Sequence, residues 1–207
     1  MNSIWPDGAR TRSSRSHSAV ILYIHGFASC GDSTKTRLLK AYFGGDAVLA
    51  PDMPVEPDET IVFLRGLIET HDVSMLIGSS LGGFYTTVLS AEFGLDAVLI
   101  NPSVHPYRTL APFVGTNTFW CSGETFEWKK TYLLQLARIA ETMRLPQKEL
   151  LVLLQSGDEV LDHTVAADVF RDYDVVVEHG GNHRFENLGD YLERIGAFYR
   201  KAEETSQ

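Results

Sequence analysis

Short, continuously apolar runs rich in Val, Ile and Leu recur along the chain at Ala19–Ile24, Ala47–Ala50, Val73–Ile77, Ala97–Ile100, Leu150–Gln155 and Tyr173–Glu178. Runs of this length without alternation suit strands buried on both faces of a parallel sheet. Between most of them the apolar positions switch to helical spacing. Thr34–Phe43 carries Leu38, Leu39, Tyr42 and Phe43, and Glu59–Thr70 carries Ile61, Leu64, Leu67 and Ile68. Leu81–Phe93 follows a Gly-rich turn, Thr164–Arg171 is shorter, and Asn187–Lys201 places Leu188, Leu192, Ile195 and Phe198 on one face. Strand and helix alternate, so the fold class is α/β with a mostly parallel sheet of about six strands flanked by helices.

One interval breaks the rhythm. Roughly fifty residues separate Ile100 from Leu150, and long insertions between core elements commonly act as lids. The stretch from about 103 to 149 reads as a helical, lid-like insertion, with prolines and glycines first and a helix from about Glu124 to Met143. The expected organisation is a flexible leader over 1–18, then a single domain over 19–203. The leader holds Arg10, Arg12 and Arg15 without the apolar core of a secretory signal.

Composition narrows the function classes. The 207 residues hold 27 Asp and Glu against 18 Lys and Arg, a net charge of −9. That balance opposes nucleic-acid and anionic-membrane partners. No apolar run approaches transmembrane length. Cys30 and Cys121 form no CxxC pattern; no zinc site or disulfide framework reads from them, and their number fits a reducing, cytoplasmic setting.

The chemistry centres on Gly78-Ser79-Ser80-Leu81-Gly82, a G-x-S-x-G between an apolar strand and a helix. That context is what a nucleophile elbow needs. The turn is tight, so small residues must flank the serine, and the helix start favours developing negative charge. A serine needs a base, and in this fold class the acid and the His follow later strands in that order. Asp158 leaves the strand at Leu150–Gln155, and His183 sits in the Gly-rich loop after Tyr173–Glu178. Glu159 and Asp162 rival Asp158, although Asp162 suits a helix cap near Thr164. His179 rivals His183 but stands at the strand end, before the glycines. An oxyanion hole then requires two backbone N–H groups, assigned to Leu81 and to Phe27 in the loop His25-Gly26-Phe27. His25 reads first as a brace for that loop. Phe119, Trp120, Phe126 and Trp128 form an aromatic cluster in the insertion; with His25 they are candidate pocket walls, the alternative for the cluster being to glue the insertion to the body. No spacing supports a metal, and the chemistry calls for no cofactor.

These stretches, with Tyr23-Ile24-His25-Gly26-Phe27, Leu99-Ile100-Asn101-Pro102, residues 118–124 and Gly180-Gly181-Asn182-His183-Arg184-Phe185, resemble the YqiA-like esterase family of the α/β-hydrolase superfamily. The resemblance covers about 20–199. It implies a compact cytoplasmic hydrolase with a Ser80–His183–Asp158 triad. It also implies a trimmed hydrolase sheet in the order 2-1-3-4-5-6. The expected reaction is cleavage of a small-molecule carboxylic ester with a small or linear acyl group. An acyl thioester is the alternative substrate, and a small amide is a further one. A non-catalytic binding protein on the same fold is the alternative class. The sequence leaves the oligomeric state undefined.

Overall fold

The apolar runs assemble into one six-stranded parallel sheet in the computed structural model, which describes residues 19–205. The expected leader lies outside the described residues. The elements in chain order are β1 (Val20–Ile24), α1 (Thr34–Phe43), β2 (Val48–Leu49), α2 (Pro57–Thr70), β3 (Val73–Ser79), α3 (Leu81–Phe93), β4 (Asp96–Ile100), α4 (Pro106–Thr109), β5 (Gly115–Thr118), β6 (Thr125–Trp128), α5 (Lys130–Thr142), β7 (Leu150–Gln155), α6 (His163–Val169), β8 (Asp174–Glu178) and α7 (Leu192–Thr205). The sheet runs β2-β1-β3-β4-β7-β8, the order expected once the insertion's strands are set aside. Its direction of growth reverses between β1 and β3, and a crevice for ligands opens at the carboxyl ends of strands at such a point.

Strand residues alternate between two cores. Leu22, Ile24, Leu76, Leu99, Val152 and Leu154 face α2, α3 and α5 through Leu64, Leu89 and Leu136. Ile21, Tyr23, Ile77, Val98 and Leu153 face α1 and α7 through Leu39 and Ile195. This two-sided cover is why β4 and β7 read as unbroken apolar runs: every residue of both is buried. Local caps fix the helix starts. The Thr36 N–H donates to Ser33 Oγ at 3.2 Å ahead of α1, and Pro57 opens α2. Asp162 caps α6, its carboxylate accepting from the Thr164 N–H at 2.9 Å, as its place in the sequence suggested.

The insertion departs from the helical expectation. Its first half folds as an antiparallel hairpin, β5 against β6, with Asn117 opposite Phe126 and Gly115 opposite Trp128. The helix begins only at Lys130. The reason is local: Thr125-Phe126-Glu127-Trp128 alternates polar and aromatic, the strand period, and Trp128 is buried while Thr125 and Glu127 are exposed. Glu124 and Glu127 therefore stand in the hairpin and do not open a helix. Gly123 takes φ +73° in the turn, a left-handed conformation that favours glycine. α5 docks on α2, with Arg138 donating to Asp58 at 2.6 Å and Gln135 Nε2 to Glu56 Oε1 at 2.6 Å.

The cysteines also depart from expectation. Cys30 and Cys121 are bonded as a disulfide across 91 residues. The pairing is invisible to spacing rules because the hairpin turn carries Cys121 to the loop after β1. There the Trp120 N–H also donates to the Ala28 carbonyl at 2.9 Å. Among the described residues, no helix is long and apolar enough to cross a membrane.

Candidate active site

Ser80 lies between β3 and α3 with φ 55° and ψ −121°, left-handed for a residue that is not glycine. Such strain persists only when the surroundings over-determine it. Here the Ser80 N–H donates to the Ile100 carbonyl at 3.1 Å. The Ser80 carbonyl accepts from Gly83 N–H at 2.9 Å and from Ser103 N–H at 3.0 Å. The neighbouring glycines follow from close packing. A Cβ on Gly78 would fall 2.4 Å from the Gly82 carbonyl oxygen, and one on Gly82 would fall 2.0 Å from that of Ile24. Gly26, in the loop after β1, packs on the serine itself, where an added Cβ would fall 3.1 Å from Ser80 Cβ.

The fold brings Asp158 and His183 to this serine. His183 Nε2 is 2.9 Å from Ser80 Oγ, and its Nδ1 is 2.8 Å from Asp158 Oδ2 and 3.0 Å from Oδ1. The Asp158 side chain is 2% exposed and also accepts the N–H groups of Val160 and Leu161, each at 2.8 Å. Glu159 takes a different part: its carboxylate accepts the His183 backbone N–H at 2.9 Å, and that bond holds its pKa below the ordinary range. His179 is exposed, one residue past the end of β8, and it is His183 that bonds to Ser80.

A polar belt that motif reasoning passed over locks these loops together. Asn101, buried with φ +40°, accepts the Gln155 N–H at 2.9 Å and donates to the Asn182 carbonyl at 3.1 Å. The Gln155 side chain accepts the Asn182 N–H at 2.9 Å and donates to Asn187 Oδ1 at 2.6 Å and to Glu178. Gly181, at φ +74°, lies against that amide, where a Cβ would fall 2.2 Å from Gln155 Cδ. The signal in the sequence was a pair of carboxamides at two strand ends, Asn101 and Gln155, where an apolar run would otherwise continue.

Beside Ser80 is a cavity of about 30 Å³, room for about two ordered waters. His25, Phe27, Leu81, Phe119, Phe126 and Trp128 are among its walls. Phe27 stacks edge-on against Trp128 and Phe126, with ring centres 5.0 and 5.5 Å apart, so the hairpin and the loop after β1 form one aromatic wall. His25 Nδ1 hydrogen-bonds the Gly26 carbonyl at 2.9 Å, in keeping with a bracing part, and burial pushes its pKa down. Of the expected pocket residues, Phe119, Trp128 and His25 line this cavity. Trp120 does not: it is 77% exposed on the rim and faces the Arg184 guanidinium at 5.8 Å. Phe126, of the same aromatic cluster, lines the cavity as well. Of the two residues whose N–H groups are the expected oxyanion donors, Phe27 follows Gly26, which packs against Ser80, and Leu81 opens α3 directly after it.

The sequence profile of the family described as Uncharacterised protein family (UPF0227) matches residues 20–200. A UPF0227 protein of Serratia proteamaculans is 24% identical over 199 residues, covering 86% of this chain and 98% of its own. One of Vibrio parahaemolyticus is 25% identical over 187 residues, with the same coverage. Among solved structures, Est1E from Butyrivibrio proteoclasticus has a TM-score of 0.69 at 17% identity, covering 90% of this chain and 88% of its own. The esterase domain of a Rhodothermus marinus protein has a TM-score of 0.64 at 23% identity, covering 88% and 87%. A monoacylglycerol lipase of Paleococcus ferrophilus has a TM-score of 0.68 at 13% identity, covering 90% and 95%. At these identities the likeness establishes the fold, that of the α/β-hydrolases.

Proposed function

The chain belongs to the uncharacterised protein family UPF0227, and we propose that it is a serine hydrolase that cleaves carboxylic esters through an acyl-enzyme. The observation that carries this reading is the unbroken chain of hydrogen bonds from Ser80 Oγ through both ring nitrogens of His183 to Asp158.

Ser80 Oγ attacks the acyl carbon as its proton passes to His183 Nε2. Asp158 holds the Nδ1–H tautomer and offsets the charge of the imidazolium. The carbonyl oxygen, now an oxyanion, receives the N–H groups of Phe27 and Leu81; one such donor is worth about 2.7–4 kcal/mol in the transition state. Collapse of the tetrahedral intermediate breaks the bond to the alcohol, which leaves with the proton from His183. Water, deprotonated by the same ring, then cleaves the acyl-enzyme and releases the acid. The cycle uses no metal or organic cofactor. The narrow aromatic cavity supports a small or linear acyl group. The disulfide favours a compartment that preserves such bonds over the cytoplasm suggested by the cysteine count.

A fluorophosphonate probe tests the reading, with peptide mapping on wild type and Ser80→Ala. Stoichiometric labelling at Ser80 that the variant loses is the expected result, followed by turnover of short-chain acyl esters. Absence of labelling on folded protein overturns it and leaves a binding protein on a hydrolase scaffold.

A further inference from the structure

Resting on that hydrolase reading, we propose that the alcohol displaced from the acyl carbon by Ser80 carries a negative charge, which Lys35 and Arg184 receive on the side of the serine opposite the apolar cavity.

The two sides of the serine differ in construction. The cavity takes its walls from the loop after β1, from 53–60, from the start of α3 and from the hairpin; none comes from the loops that hold Asp158 and His183. The apolar acyl group fits there. The departing group must lie on the His183 side, because His183 Nε2 delivers the proton to it. Arg184 is the next residue in the chain, and its guanidinium lies 5.8 Å over the Trp120 ring. Phe119 and Trp120 are consecutive, yet Phe119 lines the cavity while Trp120 faces Arg184, so the hairpin tip partitions the two spaces.

Lys35, half-buried in the first turn of α1, stands close enough to Arg184 and Glu186 to sense both charges. Arginines 37, 65, 138, 171 and 194 each pair with a carboxylate elsewhere. Among the described residues neither Lys35 nor Arg184 has a carboxylate at ion-pair distance. The Glu186 carboxylate is instead engaged by the Asn182 amide at 3.0 Å. In a chain of net charge −9, two cations without an ion-pair partner, one of them on the residue after His183, make a local anion receptor that the Glu186 charge offsets in part. The Lys35 pKa falls to about 8, chiefly through burial and then through the charge of Arg184, with the Glu186 carboxylate acting the other way.

Butyrate esters of three phenols of similar acidity test this: 3-(4-hydroxyphenyl)propanamide, the corresponding propionate, and the corresponding propyl phosphate. Wild type should favour the anionic esters in kcat/KM by about 10-fold, the scale of a charge-assisted contact. The phosphate and carboxylate arms tell which anion fits. Arg184→Gln and Lys35→Met should each erode the preference and the double variant should abolish it, with neutral-ester turnover within about twofold. Arg184→Lys should restore part of it, and Glu186→Gln should raise it. Equal use of neutral and anionic esters by wild type, or a preference that survives the double variant, overturns the proposal. Failure to hydrolyse even the neutral ester points instead to failure of the hydrolase reading, and the proposal falls with it.

Discussion

Gly82→Ala puts the elbow's packing to a quantitative test. The new Cβ would lie 2.0 Å from the Ile24 carbonyl oxygen and 2.5 Å from that of His25. Even a tight 3.0 Å contact demands at least 1.0 Å of further separation. Ile24 is a fully buried residue at the end of a central strand, so no side-chain rotation can relieve the overlap. The shift has to open the gap between the start of α3 and the loop after β1. Those two segments carry the Leu81 and Phe27 N–H groups, so under the proposed mechanism displacing one from the other removes a donor from the oxyanion. Loss of a single donor costs about 10²–10³ in kcat. Overpacking costs a further ~1–3 kcal/mol of stability, or about 2–12 °C in melting temperature for a chain of this size. Steady-state hydrolysis of a short-chain ester, run beside thermal unfolding, measures both. The expected result is a kcat at least about 100-fold lower with a lesser change in KM. Gly66→Ala, in mid-helix with nothing within 4 Å of the added carbon, is the opposite case and should stabilise by about 0.5–1 kcal/mol. Gly82→Ala protein with kcat within threefold of wild type and an unchanged melting temperature would refute the account of the elbow.

Joint replacement Cys30→Ser/Cys121→Ser opens a 91-residue loop, whose closure is worth up to about 4.6 kcal/mol in the unfolded chain. Urea unfolding with and without a dithiol reductant should place reduced wild type and the double variant together, both below oxidised wild type; coincidence of all three would refute it. Asn101→Ala leaves the Gln155 N–H and the Asn182 carbonyl without their partner, so it should destabilise by about 2–4 kcal/mol and lower kcat as the His183 loop loosens. Unchanged urea stability and kcat would count against the polar belt. The Lys35 ammonium, facing Arg184 and Glu186, loses its proton as pH rises through about 8, while Arg184 stays charged. Preference for anionic over neutral esters should therefore decline, without vanishing, between pH 7 and 9, measured as the ratio of kcat/KM values; a pH-independent ratio argues that Lys35 takes no part.

The strands and the elbow were legible because each is written locally. Val73–Ile77 is apolar throughout, and Gly78, Ser80 and Gly82 sit at fixed offsets from its end. Asp158 and His183 were legible because the fold class orders acid and histidine after successive strands, and both strands could be seen. The hairpin was missed although Phe126 and Trp128 alternate with polar neighbours, because the helical spacing of the stretch after Lys130 was extended backwards across them. Three further features rest on pairings between distant positions and leave no local trace: Cys30 with Cys121, Asn101 with Gln155 and Asn182, and Lys35 with Arg184. The last of these changes the substrate picture most. Basic residues counted along the chain showed no cluster, whereas the packing of α1 beside the His183 loop creates one.

The disulfide divides the molecule in a way the sheet does not. Joining Cys30 to Cys121 closes a covalent ring that holds β2, β3, β4 and Ser80, while Asp158 and His183 ride on a tail that begins after the ring is shut. A single proteolytic nick anywhere from Gly31 to Trp120 leaves one covalent molecule. A nick after Cys121, for example between α5 and β7, leaves the β7–β8 edge held by packing and hydrogen bonds alone. The seam between ring and tail passes through the contact between His183 Nε2 and Ser80 Oγ. A protein cut on the tail side can thus shed His183 and still keep Ser80, the loop after β1 and the aromatic cavity together as one covalent piece.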